Sequence, residues 1–382
     1  MRRFLYCIFC FISTGYGQDA RYYPTIDNIA LAESRAHFRL NSARVYTSAS
    51  QNFDITYYRC EWKVDPAIQF IAGKVTPYFT IISPGGYISF DLMDALKVDS
   101  VIQNNTSLSF GHVNNSLKIN FSAAETVGAL DSLSIYYHGV PPSTGFGSFI
   151  TTAHAGVPVM WTLSEPYGSR DWWPCKNGLD DKADSIDIII TNPSQYTAAS
   201  NGIRQSETIS GTDKITHWRH RYPIATYLIC MAVTNYAEFE NYVQIGNNNV
   251  PMQTFCYPES LALFQQNTPL VLATLQYYSA VFGDYPFAKE KYGQVQFGWG
   301  GGQEHQTSTF IISPNESLMS HELAHQWFGD KITCGSWQDI WLNEGFATYL
   351  ASLDLEKKYP LTVTDTRKSE IADITSVPRG SV

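Results

Sequence analysis

Two histidines stand four positions apart in the segment that runs from His321 through Glu322 to His325. On a helix, positions i and i+4 are neighbours on one face, with Cβ atoms roughly 5–6 Å apart, so both imidazoles reach one metal ion. Glu322 lies about 100° round the helix from His321, so its carboxylate can approach a metal-bound water without binding the metal. The pattern predicts hydrolysis in which zinc lowers the pKa of water and Glu322 takes the proton.

A catalytic zinc site needs a third protein ligand and one open position. Glu344 follows His325 by 19 residues, and the intervening loop allows the next helix to fold back against the first. For the five-residue motif alone, a metal-free pair of helical histidines remains an alternative. The placed glutamate and the capped helix around the motif argue against that alternative.

The composition indicates an ordered protein of two or three domains, since 382 residues with 44% apolar and 16% charged side chains can bury a large core. The formal net charge is −9. Because phosphate binding needs a basic face, we expect no nucleic-acid partner.

Short alternating segments with turn clusters between them run from about residue 54 to residue 234, for example Leu117–Phe121 and Leu133–Tyr137. This pattern predicts an antiparallel, sandwich-like β domain. A polar stretch at residues 244–249 marks the expected boundary, after which one strand at residues 251–257 precedes helical signals.

Three helices are expected after that strand. The first has Thr268 as its cap, Pro269 at its first position and its end at Gly283. The second opens with Ser313 as its cap and runs to Phe328. The third begins near residue 342 and ends at residues 357–358.

The amino terminus is typical of a secretory signal peptide over residues 1–17. Arg2 and Arg3 precede an apolar stretch at residues 4–13, and residues 15–17 offer a small-x-small cleavage site. Ten apolar residues are too few to cross a hydrocarbon layer of about 30 Å. We therefore expect a secreted or periplasmic protein with no stable membrane span.

Residues 321–329 and 341–347 closely resemble the gluzincin aminopeptidases, the family of aminopeptidase N and leukotriene hydrolase, and Trp172-Trp173-Pro174-Cys175 is similar to a segment late in the family's β domain. The resemblance implies an N-terminal β domain at residues 18–247. It also implies the first part of an α+β, thermolysin-like zinc peptidase domain at residues 248–382, with one Zn²⁺ per chain held by His321, His325 and Glu344.

The family also has a strand of the form Gly-x-Met-Glu-Asn, which here reads Gly301-Gly302-Gln303-Glu304-His305. The resemblance implies that Glu304 binds the free α-amino group of a peptide and that the backbone of Gly301 and Gly302 holds it extended. A carboxylate in a dry cleft would favour an ammonium group over a mid-chain peptide bond. Taken alone, these residues would equally fit a flexible turn followed by an exposed acid.

Three positions depart from the family pattern. Gln303 replaces the family's Met, and His305 replaces its Asn, which makes His305 a pocket or structural residue in our interpretation. A second family contact to the amine comes from a Thr-Gln-x-Glu strand, which here reads Thr162-Leu163-Ser164-Glu165. Glu165 is therefore a further candidate for binding the amine, with an ordinary salt-bridged role as the alternative.

The family places a Tyr that bonds the oxyanion roughly sixty residues beyond the third ligand, a position past residue 382. The resemblance therefore implies a C-terminally truncated copy. Our first hypothesis is a zinc aminopeptidase acting on peptides with a free amino terminus. The alternatives are a thermolysin-type zinc endopeptidase and an inactive zinc-binding fragment or scaffold, the latter because an oxyanion donor is worth a hundredfold or more in rate.

Overall fold

The structure, a computed structural model, describes residues 47–361 together with residues 363–364, 367–368 and 371–372. The expected signal peptide at residues 1–17 lies outside the described residues.

Nine strands between residues 53 and 220 form the largest sheet. Numbered along the chain, they are β1 (Phe53–Asp65), β2 (Ile68–Ile81), β4 (Leu96–Gln103), β5 (Thr106–Ser107), β8 (Leu130–Ser132), β9 (Ser134–Gly139), β12 (Ser185–Pro193), β14 (Ile203–Ser210) and β15 (Asp213–His220). Their order is β14-β15-β12-β1-β2-β9-β4-β5, with β8 paired to β2. The expected antiparallel pairing holds for β1 with β2 and for β12 with β15, whereas β1 and β12 are parallel.

The long strand β1 explains how one face of this sheet meets the core. Phe53 and Ile55 are buried, and a register irregularity follows between Ile55 and Tyr57. The buried set then moves to Cys60 and Trp62, so that a period of two is kept on either side of the irregularity. The alternation predicted from the sequence therefore marks which face is covered.

Two smaller sheets pack with the largest one. The three-stranded sheet has the order β3-β7-β6 and the four-stranded sheet has the order β10-β11-β16-β13. Their strands are β3 (Tyr87–Asp91), β6 (Phe110–Val113) and β7 (Ser116–Asn120), then β10 (Ser148–His154), β11 (Val157–Leu163), β13 (Thr197–Ser200) and β16 (Met231–Thr234).

Aromatic side chains fill the core between these sheets. The ring centroid of Trp62 lies 4.7 Å from that of Trp172 and 6.0 Å from that of Trp173, and all three side chains are almost fully buried. The indole of Trp172 donates a hydrogen bond of 2.9 Å to Oγ of Ser164. Because Glu165 is the next residue, the packed core also fixes the segment that carries this carboxylate.

The last sheet has five strands, in the order β17-β18-β19-β21-β20. They are β17 (Ala237–Ile245), β18 (Asn248–Cys256), β19 (Tyr292–Gln296), β20 (Gly302–Gln303) and β21 (Thr309–Ile311). Strands β17 and β18 form an antiparallel hairpin whose turn includes Gly246, at φ +53°. The hairpin spans the expected domain boundary between residues 247 and 248, which stays a prediction.

The first long helix, α1 (Leu261–Phe282), ends before Gly283 as predicted, but its predicted start at Pro269 is wrong. Pro269 lies inside the helix, and Oγ1 of Thr268 bonds the carbonyl of Phe264 at 2.8 Å instead of capping. The buried side chains of α1 pack with those of β17 and β18 in a second hydrophobic core, here called the second core cluster. Such tertiary packing outweighs the local cost of a proline.

The helix that carries the histidines, α2 (Glu316–Ala324), is shorter than predicted at both ends. Asn315 rather than Ser313 caps it, since its side chain accepts from the backbone N–H groups of Ser317 and Leu318. After Ala324 the backbone changes from α-helical to 3₁₀-type turns, because the N–H groups of residues 326 and 327 bond the carbonyls three residues before them. The predicted helical end at Phe328 is therefore wrong.

The third helix, α3 (Trp341–Lys358), has the predicted bounds to within one residue. Oδ2 of Asp354, on α3, accepts hydrogen bonds from Oγ of Ser320 on α2 (2.8 Å) and from Oγ1 of Thr274 on α1 (2.9 Å). One buried carboxylate thus ties the three helices together and holds α3 against the histidines. In the part of the chain that the structure describes, no helix is both long and apolar enough to cross a membrane.

Candidate metal centre and active site

Helix α2 presents both histidines to one point. The Nε2 atoms of His321 and His325 lie 3.0 Å apart, and the two residues are 3% and 1% exposed. The backbone N–H of His325 still reaches the carbonyl of His321, at 3.4 Å. The helical spacing predicted from the sequence therefore holds up to the second histidine, even though the helix ends just before it.

Helix α3 brings Glu344 to the same point. Oε2 of Glu344 lies 3.3 Å from Nε2 of His321 and 3.5 Å from Nε2 of His325. A tetrahedral ion with ligand bonds of about 2.0–2.1 Å separates its ligand atoms by about 3.3 Å. The three atoms are therefore spaced as a single zinc ion would require.

The charges around these residues also fit a cation. Among the described residues, Oε2 of Glu344 is buried without a hydrogen bond of good geometry. Burial disfavours its ionised form, but the neighbouring His325 and His321 outweigh burial and hold the pKa of Glu344 well below its usual range. Burial likewise lowers the pKa of His321, which favours the neutral imidazole that a metal needs.

The ring of His325 is oriented by its surroundings. Its Nδ1 lies 3.1 Å from the carbonyl oxygen of Phe328, so this nitrogen carries a proton and Nε2 is the atom turned towards His321 and Glu344. Gly329 has a φ of +146°, and a Cβ there would stand 2.9 Å from Nδ1 of His325. A glycine at this point therefore leaves room for the imidazole.

Glu322 points towards strand β20. It is 2% exposed, and a Cβ built on Gly302 would stand 2.2 Å from its Oε1. Burial raises the pKa of Glu322 well above its ordinary value. A carboxylate with a raised pKa holds a proton more firmly once it has taken one, as a general base at neutral pH requires.

Two further carboxylates adjoin Glu344. Oxygen atoms of Glu165, Glu304 and Glu344 all lie within 4.8 Å of one another. The side-chain amide of Gln303 donates to Oε2 of Glu165, at 3.0 Å, and to Oε2 of Glu304. The residue that replaces the family's Met therefore bridges the two carboxylates that the resemblance assigns to the amine.

Burial dominates the ionisation of this carboxylate pair. It raises the pKa of Glu165 well above the usual range, assisted by the charges of Glu304 and Glu344, and it also raises the pKa of Glu304. The hydroxyl of Tyr227 donates a 3.2 Å hydrogen bond to Oε1 of Glu304. A buried carboxylate pair of this kind favours a cationic partner, because a positive charge would offset the repulsion.

Gly302 lies in strand β20 and Gly301 immediately precedes it. Strand β20 stands at the end of the strand order, and its pairing with β21 is antiparallel. The carbonyl of Gly301 accepts from the N–H of Ile312 at 3.0 Å. The structure thus places both glycines at a sheet edge, with Gly302 beside Glu322. The contact of their backbone with a substrate stays a prediction.

His305 does not join the candidate ligands. It is fully buried, its ring centroid lies 4.4 Å from that of Phe310, and burial lowers its pKa to about 3. Among the described residues, two clusters are close enough to hold a metal ion, and His305 belongs to neither of them. One is His321, His325 and Glu344, and the other is Glu165, Glu304 and Glu344. This placement agrees with a pocket or structural residue.

Tyr227 and Gln326 contact the site but were not singled out from the sequence. Tyr227 lies 77 residues before Glu304 and belongs to no motif. Gln326 directly follows His325 and bonds the backbone on both sides of residue 305. For Gln326 the position beside a ligand was a usable signal, whereas for Tyr227 only the tertiary structure shows the contact.

Comparison with known proteins places both halves of the chain in one family. The model described as the peptidase M1 N-terminal domain matches residues 55–228. The model described as the peptidase family M1 domain matches residues 303–377. These two segments contain Glu165 and Glu304 and all three candidate ligands.

Curated relatives point the same way. The chain is 29% identical to glutamyl aminopeptidase of Homo sapiens over 213 residues, which are 51% of this chain and 22% of that protein. It is also 29% identical to the mitochondrial aminopeptidase 2 of Saccharomyces cerevisiae over 207 residues, 50% of this chain and 21% of that protein. The matched region thus spans about a fifth of these relatives' length.

Among solved structures, the M1 zinc metallopeptidase of Deinococcus radiodurans superposes with a TM-score of 0.72 at 25% sequence identity, covering 81% of this chain and 72% of that one. The predicted order of a β domain followed by part of a peptidase domain is confirmed. Motifs, family models and fold agree, and the chain belongs to peptidase family M1, the family of the gluzincin aminopeptidases that its motifs resemble.

Proposed function

We propose that this chain carries the active site of a zinc-dependent metallo-aminopeptidase, which removes amino-terminal residues from peptides. The observation that carries this proposal is that Glu344 lies beside both histidines and also beside two other glutamates. Its carboxylate faces both histidines at 3.3 and 3.5 Å, and it also lies within 4.8 Å of Glu165 and Glu304. A metal ligand and an amine-binding pair therefore adjoin one another.

His321, His325 and Glu344 would hold one Zn²⁺ per chain. The spacing of their ligand atoms and the orphaned oxygen of Glu344 support this assignment. Zinc, when bound, would supply the Lewis acid that polarises a carbonyl and activates a water molecule.

Glu322 would act as the general base. Its carboxylate would take a proton from the attacking water and pass it to the amine that leaves when the peptide bond breaks. The raised pKa of Glu322, caused by burial, supports both transfers, because the protonated form is stable enough to carry the proton between them.

Glu304 and Glu165 would bind the α-ammonium group of the substrate. Both are buried, and charge-assisted hydrogen bonds are strong where water is excluded. The edge position of Gly301 and Gly302 supports their role in aligning an extended peptide, because an edge strand offers unpaired backbone groups. A mid-chain peptide segment has no charge to offer the two glutamates, which favours cleavage at a free amino terminus.

The substitution Glu322→Gln tests the mechanism. We expect hydrolysis of aminoacyl substrates to fall by about 10²–10⁴-fold, the usual worth of a general base. Zinc content, measured by mass spectrometry of the purified chain, should stay near one ion per chain. Activity that survives this change would refute the role of Glu322.

Blocking the substrate amine separates the alternatives. An aminopeptidase should cleave a free peptide far better than its N-acetylated copy, whereas an endopeptidase of the thermolysin type should be indifferent to acetylation. A chain that binds zinc and peptide but turns over neither copy would instead be a binding scaffold.

We propose further that the protein is exported. The support is the sequence pattern at residues 1–17, in which two arginines precede an apolar stretch and small residues. Expression with this segment intact, followed by amino-terminal sequencing of the exported protein, should find Gln18 as the first residue. Retention of the full chain inside the cell would contradict this proposal.

A further inference from the structure

Gln326 joins the metal-binding segment to the residues around Glu304. Its side chain is fully buried. Oε1 accepts hydrogen bonds from the backbone N–H of Thr307, at 2.9 Å, and from the hydroxyl of Tyr285, at 3.2 Å. Nε2 donates to the backbone carbonyl of Glu304, at 3.2 Å.

The orientation of this amide is determined by its partners. A backbone N–H only donates and a backbone carbonyl only accepts, so the oxygen of Gln326 must face Thr307 and its nitrogen must face Glu304. Neither an acid nor an apolar side chain of similar length could make both bonds.

The residues that Gln326 holds form a buried loop, here called the anchor loop (residues 304–308). Thr307 adopts a φ of +62°, which a β-branched residue rarely adopts. Such a conformation persists only where the surroundings impose it. From the β domain, Asn201 donates to the carbonyl of Gln306 at 2.7 Å, and the N–H of Gly202 donates to Oγ1 of Thr307 at 2.8 Å.

We propose that Gln326 is a positioning residue that fixes the separation between Glu304 and the metal-binding segment, and with it the cleavage point one residue from the amino terminus. The inference rests on the proposed function. His325 is the residue before Gln326, so the side-chain amide of Gln326 connects the segment that carries this histidine to the backbone of Glu304. Reacting groups must lie within a fraction of an ångström of the productive geometry, so a shift of the anchor loop would misplace the scissile bond.

Two variants separate the parts of this contact. Gln326→Met removes all three hydrogen bonds while it keeps the length of the side chain. Gln326→Glu keeps the acceptor for Thr307 but replaces the donor that faces Glu304 with a second acceptor. If the methionine variant fails to fold, the glutamate variant still tests the bond to Glu304.

Gln296 provides a matched control. It is also buried and makes three hydrogen bonds, since Oε1 accepts from the N–H of Tyr257 at 2.8 Å, and Nε2 donates to Ser260 and to the carbonyl of Ile312, each at 3.1 Å. Gln296→Met should therefore destabilise the fold to a similar extent without touching the anchor loop.

The first measurement is binding, in a Glu322→Gln background that prevents turnover. Calorimetry compares a tripeptide that has a free amino terminus with its N-acetylated copy. The background protein should prefer the free peptide, and a ratio near one would defeat the proposed function itself. Given that preference, Gln326→Met and Gln326→Glu should lower it by about tenfold or more, and Gln296→Met should not. An unchanged preference in both Gln326 variants would overturn this inference alone.

Hydrogen exchange of the peptide-free protein provides a second readout. The amide of Thr307 should exchange faster in Gln326→Met, and it should remain protected in Gln326→Glu and Gln296→Met. With Glu322 intact, the product ratio of dipeptide to single amino acid should rise in the Gln326 variants. Unaltered exchange together with unaltered products would show that Gln326 has only a packing role.

Discussion

Gly302 and Glu322 lie so close together that a Cβ on Gly302 would stand 2.2 Å from Oε1 and 2.4 Å from Cδ of the glutamate. No side chain can be added at this point without moving the carboxylate. Strand β20 and helix α2 therefore meet with the backbone of one against the proposed base of the other. This contact explains why a glycine is required beside Glu322 even though its φ is ordinary.

The substitution Gly302→Ala should displace Glu322 by the width of a methyl group. We expect kcat/KM for aminoacyl substrates to fall by about a hundredfold, because a misplacement of about 1 Å can cost that much. Zinc content should not change, since no ligand moves. Gly300→Ala is the matched control, because a Cβ at Gly300 would meet nothing within 4 Å. Equal losses in the two variants would show that the contact with Glu322 is not the cause.

Removal of the metal should lower the melting temperature. A ligand that binds only the folded protein stabilises it by about 4 kcal/mol at a thousand times its Kd. Addition of zinc to the chelated protein should restore the transition, and His325→Ala should abolish that response. Glu322→Gln should retain it, because Glu322 is not a proposed ligand. Differential scanning calorimetry checks all three proteins, and a zinc response in His325→Ala would argue against the assigned ligands.

Tyr227→Phe should weaken the binding of the substrate amine. The lost hydroxyl donates to Oε1 of Glu304 at 3.2 Å, and a hydrogen bond to a charged group is worth about 1.5–3 kcal/mol. We expect KM for free aminoacyl substrates to rise about tenfold or more, with a smaller change in kcat. Tyr236→Phe is the control, since its buried hydroxyl donates to the carbonyl of Gln296 at 2.7 Å, away from the carboxylates. A similar KM in both variants would exclude a specific role for Tyr227.

Lys291 should make the stability of the fold depend on pH in the alkaline range. It is 1% exposed and donates to the carbonyl of Ser200 at 3.0 Å, and burial lowers the pKa of its ammonium group to about 8. Between this value and about 10.4, the ordinary lysine pKa, the unfolded chain binds more protons than the folded one. The free energy of unfolding therefore rises with pH across this window, by an amount on the order of 3 kcal/mol.

Urea denaturation of the wild type and of Lys291→Met at about pH 7.5 and about pH 10 checks this expectation. Relative to the wild type, the variant should lose stability as the pH rises, because it lacks the group whose penalty disappears. Lys63→Met serves as the control, since the side chain of Lys63 is 65% exposed. Parallel pH profiles for the wild type and Lys291→Met would contradict the depressed pKa.

The sequence predicted the local parts of the site and missed the parts that depend on tertiary packing. His321, His325 and Glu344 stand within 24 residues, and helical geometry is enough to bring the histidines together. The contact between Tyr227 and Glu304 depends instead on the docking of the β domain against the peptidase half. Only side-chain coordinates could show that Gln303 bridges Glu165 and Glu304.

Helix ends were predicted less well than helix existence. A proline commonly marks the first turn, so Pro269 indicated a helix start there. The helix instead begins eight residues upstream, at Leu261, because Phe264 packs into the second core cluster. The two candidate caps Ser313 and Asn315 differ by two positions, and only the hydrogen bonds to Ser317 and Leu318 decide between them. The burial of β1 follows the period of a strand, which agrees with the alternation predicted from about residue 54 onwards.

The two carboxylates proposed to bind the amine come from different parts of the chain, Glu165 from the segment just after β11 and Glu304 from the anchor loop. A pocket divided in this way cannot be exchanged piece by piece. Recombination that joined this β domain to the peptidase half of a distant relative would bring together two surfaces that had not been selected for each other, and the recognition of the ammonium group would suffer even if both halves folded. The two halves therefore have to match for the proposed pocket to work, and a change at Glu165 would remove the acceptor that the amide of Gln303 uses.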